Sequence, residues 1–279
     1  MKKYHVLYNP QAGGGTGEAE AIKLKEALGE IAFTDVTKVE DYAKLLSEIP
    51  QEDGVVLCGG DGTLNCFVNN AGKAVTSRDI YYYACGSGND FLRDVKQDEN
   101  GLVALNPYVE KLPTVSVNGK DYAFINGVGY GIDGYCCEEG DKLRKTTDKP
   151  INYTGIAIKG LLFHYKRTSA LVIVDGKEYS FKNVWLAPTM NGKYYGGGMI
   201  PCPEQSREND TLSVLIFHGK SKLKTLMIFP SIFKGEHVKK TKNVTVLSGK
   251  EITVKFNEPR TLQIDGETVF NVTEYTARK

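Results

Sequence analysis

With 279 residues, 41% hydrophobic and 25% charged, the chain has the composition of a folded globular protein, which excludes disorder, collagen-like repeats and coiled coil. Lys and Arg number 35 against 34 Asp and Glu, a formal charge of +1, so no global field marks a nucleic-acid binder and any anion must be held locally. The most apolar stretches, Leu226 to Phe233 and Ile156 to Tyr165, are short and interrupted by Pro230 and Lys159, so no transmembrane segment is expected. Met1-Lys2-Lys3 is basic, but Pro10 and the following glycines arrive before a signal-peptide core of adequate length, and a cytoplasmic protein is expected. The cysteines (Cys58, Cys66, Cys85, Cys136, Cys137, Cys202) form no C-x-x-C pair and read as buried or idle thiols. The four histidines are too widely spaced to pair as metal ligands.

Residues 4 to 95 repeat a strand, glycine-rich loop, helix rhythm. Tyr4 to Tyr8 predicts a strand that ends at Asn9-Pro10-Gln11-Ala12-Gly13-Gly14-Gly15, and a helix is expected from Glu18 to Leu28. Ile31 to Val36 predicts a second strand. Tyr42, Leu45, Leu46 and Ile49 then form the apolar stripe of an amphipathic helix. Gly54 to Cys58 predicts a third strand, running into Gly59-Gly60-Asp61-Gly62-Thr63 with a helix behind it from Leu64 to Asn70. Ile80 to Ala84 predicts a fourth, entering Cys85-Gly86-Ser87-Gly88-Asn89-Asp90-Phe91. Strands alternating with helices imply a parallel α/β sheet.

From about residue 113 the punctuation is that of hairpins: Asn118-Gly119, Asp175-Gly176 and Asp265-Gly266 each lie between β-type runs. The runs 171–174, 184–187, 212–217, 244–247 and 252–256 fit an antiparallel β-sandwich. The fold class expected is therefore an N-terminal parallel α/β lobe over residues 1–112 and a mainly β lobe over 113–279, with the last residues free to return to the first lobe. A cleft between two lobes is the simplest assembly.

In an open parallel sheet, ligands bind outside the carboxyl ends of the strands, where all three glycine-rich loops would lie. Glycine lets backbone N–H groups approach an anion, and a following helix N-terminus favours phosphate, so a phosphorylated ligand is expected. The chain has no G-x-x-x-x-G-K-[ST], and three residues beyond Gly15 or Gly17 stands Glu18 or Glu20, so neither common nucleotide motif is present. Asp61 among exposed amides suits a Mg²⁺ or ordered water between carboxylate and phosphate, with Thr63 adding a hydroxyl. Alternatively Asp61 caps the helix of a tight turn.

Asn9-Pro10 with Gly13, then 59–65 (Gly-Gly-Asp-Gly-Thr-Leu-Asn), then 86–91 (Gly-Ser-Gly-Asn-Asp-Phe) resembles the catalytic domain of the diacylglycerol kinase and sphingosine kinase family in its soluble bacterial form. Segments 122–131, 196–199 and 262–267 resemble the family's second-lobe segments in the same order, so the resemblance spans nearly the whole chain. It implies an ATP- and Mg²⁺-dependent lipid kinase that transfers the γ-phosphate to a hydroxyl of a neutral lipid such as diacylglycerol at the inner membrane surface. It is compatible with a homodimer. Carried over by position, the ATP contacts fall on Asn9, Pro10, Gln11, Ala12, Gly13, Thr37, Gly59, Gly60, Asp61, Gly62, Thr63, Leu64, Asn65 and Ser87, with Asp61 acting through the metal network.

The attacking hydroxyl needs a general base, which the resemblance assigns to the Asp-Gly-Glu segment: Asp265 first, Glu267 second. Taken alone, Asp265-Gly266 also reads as a hairpin turn. A family Asp that organises Mg²⁺ falls on Asn209 without gaps and on Asp210 with a one-residue slip, and Asn offers a metal only a neutral oxygen. Residues 112–119 carry no counterpart of another family carboxylate. Lys142 to Lys149 and Lys166-Arg167 are basic enough to meet anionic lipid, although charge runs usually belong to solvated faces. Two alternatives stay open. One is a NAD kinase, which shares the Gly-Gly-Asp-Gly-Thr loop but uses an Asn-Glu pair absent here. The other is a catalytically idle nucleotide- or lipid-binding relative.

Overall fold

The computed structural model describes residues 3–86, 88–146 and 151–279. The chain divides into two compact units, Met1–Leu112 and Pro113–Lys279.

The first unit is built on strands β1 (Tyr4–Tyr8), β2 (Ile31–Asp35), β3 (Gly54–Gly59), β4 (Ile80–Ala84) and β5 (Val103–Ala104), in the order β2-β1-β3-β4-β5. The first four are parallel, and the short β5 closes the edge antiparallel to β4. Every residue of the central β3 is buried, which matches its unbroken apolar run; a strand covered on both faces has no use for alternation. Helices α1 (Gly17–Leu28), α2 (Tyr42–Glu48) and α3 (Asp61–Ala71) follow β1, β2 and β3. Helix α2 starts where the Asp41 carboxylate accepts the Lys44 N–H at 2.9 Å, and Tyr42 meets Phe67 of α3 edge-to-face. Helix α3 begins three residues before its apolar stripe predicts, at Asp61 itself, because Leu64 N–H already donates to Gly60 O at 3.0 Å.

The second unit has ten antiparallel strands: β6 (Thr114–Val117), β7 (Lys120–Ala123), β8 (Gly127–Tyr130), β9 (Thr168–Val174), β10 (Lys177–Leu186), β11 (Thr189–Met190), β12 (Leu212–His218), β13 (Val244–Gly249), β14 (Glu251–Ile264) and β15 (Glu267–Arg278). The first half of the long β14 pairs with β9 and its second half with β8, so the sheet folds back on itself. The enclosed core holds Val128, Tyr130, Val172, Val214, Val254, Leu262 and Tyr275, with Tyr130 stacked on Phe256 at 4.0 Å. All three predicted hairpin turns form, with positive φ at Asn118, Asp175 and Asp265 and at the glycine after each, the backbone a type I′ turn requires. Strand β15 runs to Arg278 within this same sheet.

Helices α4 (Ile132–Arg144), α5 (Tyr153–Lys159, continuing into a π-turn over Gly160–His164) and α6 (Lys222–Ile228) cover this unit, and the sequence pattern does not announce them. Helix α4 carries glycines at 134 and 140, which argue against a helix on propensity. Their reason is packing: a Cβ on Gly134 would lie 1.8 Å from the Thr261 carbonyl oxygen of β14, and one on Gly140 would meet the Tyr153 ring.

Candidate active site

The order β2-β1-β3-β4 means that the chain leaves β1 in one direction and returns on its other side as β3. The crevice between the carboxyl ends of β1 and β3 is therefore the switch point at which open α/β sheets bind ligands. The loops after β1, β3 and β4 meet there. Asn9 Nδ2 donates to Thr63 Oγ1 at 2.8 Å, and Asn9 Oδ1 accepts the Gln11 N–H at 2.9 Å. Cys85 N–H and the Tyr82 hydroxyl both donate to Gly59 O, at 2.9 and 3.0 Å. A Cβ on Gly86 would stand 2.6 Å from Gly60 Cα, so the second and third loops touch backbone to backbone. Glycine is required there by close approach. Beneath the loops the Cys58 and Cys85 thiols lie buried, 3.4 Å apart.

Asp61, the first residue of α3, turns its carboxylate to the next loop. Its Oδ2 accepts the Asp90 N–H and its Oδ1 the Phe91 N–H, each at 2.9 Å, so the carboxylate clamps the loop after β4 against the loop after β3. The Gly-Gly-Asp-Gly-Thr and Gly-Ser-Gly-Asn-Asp-Phe motifs are thus two halves of one construction. Of the residues expected to contact nucleotide, Asn9, Gly13, Gly59, Gly60, Asp61 and Thr63 belong to this assembly, and Pro10, Gln11 and Ala12 lie on its first loop. The Leu64 side chain is fully buried in the core and Asn65 is nearly so, which leaves Leu64 only its backbone to offer. Thr37 sits past the end of β2 with its hydroxyl and N–H bonded to Asp35 Oδ1. Ser87 lies outside the described residues.

In the second unit, Asp265 occupies the first turn position between β14 and β15 with φ 47°. Its Oδ2 accepts the Ile125 N–H at 2.5 Å, and its Oδ1 accepts the N–H groups of Asn126 and Gly127 at 2.8 and 2.9 Å. Three amides leading into β8 fix the carboxylate, two of them on Oδ1 and one on Oδ2. Glu267, two residues on, is exposed.

Around this cradle lies a polar network that sequence reasoning missed. Arg207 donates to Ile125 O and Asn126 Oδ1, buried Asn191 donates to Ile125 O, and Lys279 Nζ donates to Asn191 Oδ1 and Arg207 O. Buried Gln205 ties Asn191 O to Thr211 O. Burial, then the nearby Arg207 charge, lowers the Lys279 ammonium below its ordinary range, with Asp210 opposing. Asp210 is exposed and Asn209 half-buried on the turn that Asn209 N–H closes on Ser206 O. These residues come from distant parts of the chain and no motif joins them; the quoted segment around Asn126 was the one available signal.

A different carboxyl, Asp133 of α4, is buried with Tyr195, whose hydroxyl donates to its Oδ2 at 3.1 Å. Burial pushes Asp133 from 3.8 up to about 7, against the smaller effect of the Tyr195 bond. No group of three or more His, Cys, Asp or Glu gathers among the described residues. Magnesium does not need one, since it takes one or two carboxylates and completes its shell with waters and phosphate oxygens.

Residues 3–116 match the diacylglycerol kinase catalytic domain, and residues 126–276 match the YegS C-terminal NAD kinase beta sandwich-like domain. The chain is 27% identical over 263 residues to the diacylglycerol kinase of Mycobacterium tuberculosis, covering 85% of this chain and 80% of that one. Its fold is shared with the crystal structure of a diacylglycerol kinase from Bacillus anthracis, at a TM-score of 0.62 and 18% identity, over 100% of this chain and 94% of the other.

Proposed function

The chain belongs to the diacylglycerol kinase catalytic-domain family and carries a YegS-type C-terminal domain, and from that premise we propose that it transfers the γ-phosphate of ATP to a hydroxyl of a neutral lipid, diacylglycerol first among them. The support that weighs most is the convergence of three glycine-rich loops, clamped by Asp61, on the switch point of a parallel sheet, a geometry suited to phosphate. The N-terminal unit binds the nucleotide through Asn9 to Gly13, Thr37, Gly59 to Asn65 and Ser87. Asp61 in the N-terminal unit, and Asn209 and Asp210 in the C-terminal unit, are the oxygen donors each unit would offer Mg²⁺, which when bound would neutralise phosphate charge. Asp265 takes the proton of the lipid hydroxyl as its oxygen forms the new bond to the γ-phosphorus, the bond to the β-phosphate oxygen breaks, and ADP leaves. Its amide cradle holds it still for that step. The enzyme meets its substrate at the surface of a membrane, and no helix among the described residues is long and apolar enough to cross one.

The test is transfer of labelled phosphate from ATP·Mg²⁺ to mixed micelles of diacylglycerol, ceramide, sphingosine, phosphatidylglycerol or undecaprenol, with NAD in a parallel tube. One labelled lipid is the expected result. Label on NAD, or silence everywhere with ATP binding intact, overturns the reading in favour of a NAD kinase or an idle relative. Asp265→Asn, which keeps a residue tolerant of positive φ, is expected to lower the rate by about 10² to 10⁴, as loss of a general base does. Should Glu267→Gln be the variant that loses the rate, the base moves to Glu267.

A further inference from the structure

Among the described residues ten large hydrophobic side chains stand exposed, and six of them lie in two short segments: Ile158, Leu162 and Phe163 in one, Leu223, Met227 and Phe233 in the other. These segments contain the two most apolar stretches of the sequence, too short to span a bilayer. The fold leaves them outside. Phe163 is 73% exposed, Leu223 68% and Met227 67%, where a core helix would bury such residues. Lys222 Nζ donates to Leu162 O at 3.0 Å and joins the start of α6 to the π-turn after α5, so the apolar residues of both segments share one face.

The charge on these segments has one sign. Residues 151–170 and 218–235 contain Lys159, Lys166, Arg167, Lys220, Lys222, Lys224 and Lys234 and no Asp or Glu, in a chain whose total charge is +1. Lys142, by contrast, is spent on Glu138 and Glu139 within α4. At the edge of the face lies a cavity of about 370 Å³ lined among others by His164, Tyr165, Lys166, Arg260 and Phe270, and by Glu138, whose carboxylate is paired with Lys142.

Exposed apolar side chains on segments whose lysines form no ion pair among the described residues match the interface of an anionic bilayer, where acyl chains take the former and phosphate headgroups the latter. We infer that the face formed by α5, its π-turn and α6 docks the protein on an anionic membrane surface. It names the surface that meets the membrane, and it rests on the lipid-kinase reading only for what the docked protein then does.

The experiment is co-sedimentation with vesicles of phosphatidylcholine alone or mixed with phosphatidylglycerol, without ATP. The protein is expected to pellet with the mixed vesicles and to release in high salt. Phe163→Ser combined with Leu223→Ser should weaken that partition at least about tenfold, since each removes an exposed apolar side chain that the bilayer would bury, and Lys159→Glu with Lys224→Glu should weaken it on the anionic vesicles. Phe33→Ser, at a less exposed phenylalanine of the N-terminal unit, should leave it unaltered. Circular dichroism identifies any variant that fails to fold, and each of the two pairs is an independent arm. Equal binding by wild type and both pairs overturns the inference. So does a concentration-dependent dimer, seen by sedimentation velocity, that Phe163→Ser with Leu223→Ser dissolves, because the face would then be covered by a second copy. Vesicle binding without phosphate transfer would leave the docking face standing while the kinase reading fails.

Discussion

Asp61 in the N-terminal unit and Asp265 in the C-terminal unit are both held by backbone amides of a distant segment, the N–H groups of Asp90 and Phe91 for one and of residues 125–127 for the other. They reach that state by different routes. Parallel strands bring all their carboxyl ends to one edge, so Asp61 meets its amides because two glycine-rich loops open side by side. Antiparallel neighbours alternate direction, so Asp265 is placed by a two-residue turn and its cradle by the entry to β8. The difference shows where each site is fragile: the first depends on how closely loops approach, the second on one turn and a network gathered from the whole unit.

The largest effect should come from emptying the two cradles. Asp265→Ala strands three buried N–H groups and forces alanine into φ 47°, for an expected loss of about 4 kcal/mol; Asp61→Ala strands two, for about 3 kcal/mol. Urea unfolding measures both. A loss below about 0.5 kcal/mol in either, the range of an ordinary surface change, would mean that water satisfies those amides and that the clamp is incidental.

The contrast between close approach and open turn can be sharpened within the first loop. A Cβ on Gly17 would stand 1.9 Å from the Asn9 carbonyl oxygen, whereas Gly14, at φ 74°, has nothing within 4 Å. Gly17→Ala should therefore cost about 3 kcal/mol and reduce ATP affinity by displacing Asn9, while Gly14→Ala should cost only the backbone strain of about 1 kcal/mol. Equal midpoints for the two variants would show that the loop yields freely.

The same contrast explains what could be read from the sequence. Four parallel strands, three glycine loops and three hairpin turns were legible because each is a contiguous pattern: an apolar run followed by glycine, or Asn-Gly and Asp-Gly between β runs. The clamp of Asp61 on Asp90 and Phe91 was not, since it joins residues 29 and 30 positions apart that only the sheet order brings together. Asn191, Gln205, Arg207 and Lys279 carry no local signal, because polar side chains that fold against one another look in sequence like loop residues. Helix α4 was hidden by glycines whose purpose is contact with β14 and α5.

Asp133 tests the comparison from the other side, as a buried carboxyl with no amide cradle. Tyr195 is the one hydrogen-bond donor found for it among the described residues, and burial raises it from 3.8 to about 7. Between those values the unfolded chain has released the proton and the folded chain still holds it, so stability must fall as pH rises through that window. Between pH 5 and pH 8 the expected loss is about 2 kcal/mol, read as a falling thermal midpoint. Asp133→Asn should flatten that slope while retaining a partner for the Tyr195 hydroxyl. A slope that survives the substitution would assign the pH dependence to another group and leave Asp133 ionised inside the fold, an outcome that would require donors beyond Tyr195 and so erase the distinction between this carboxyl and the two that amides hold.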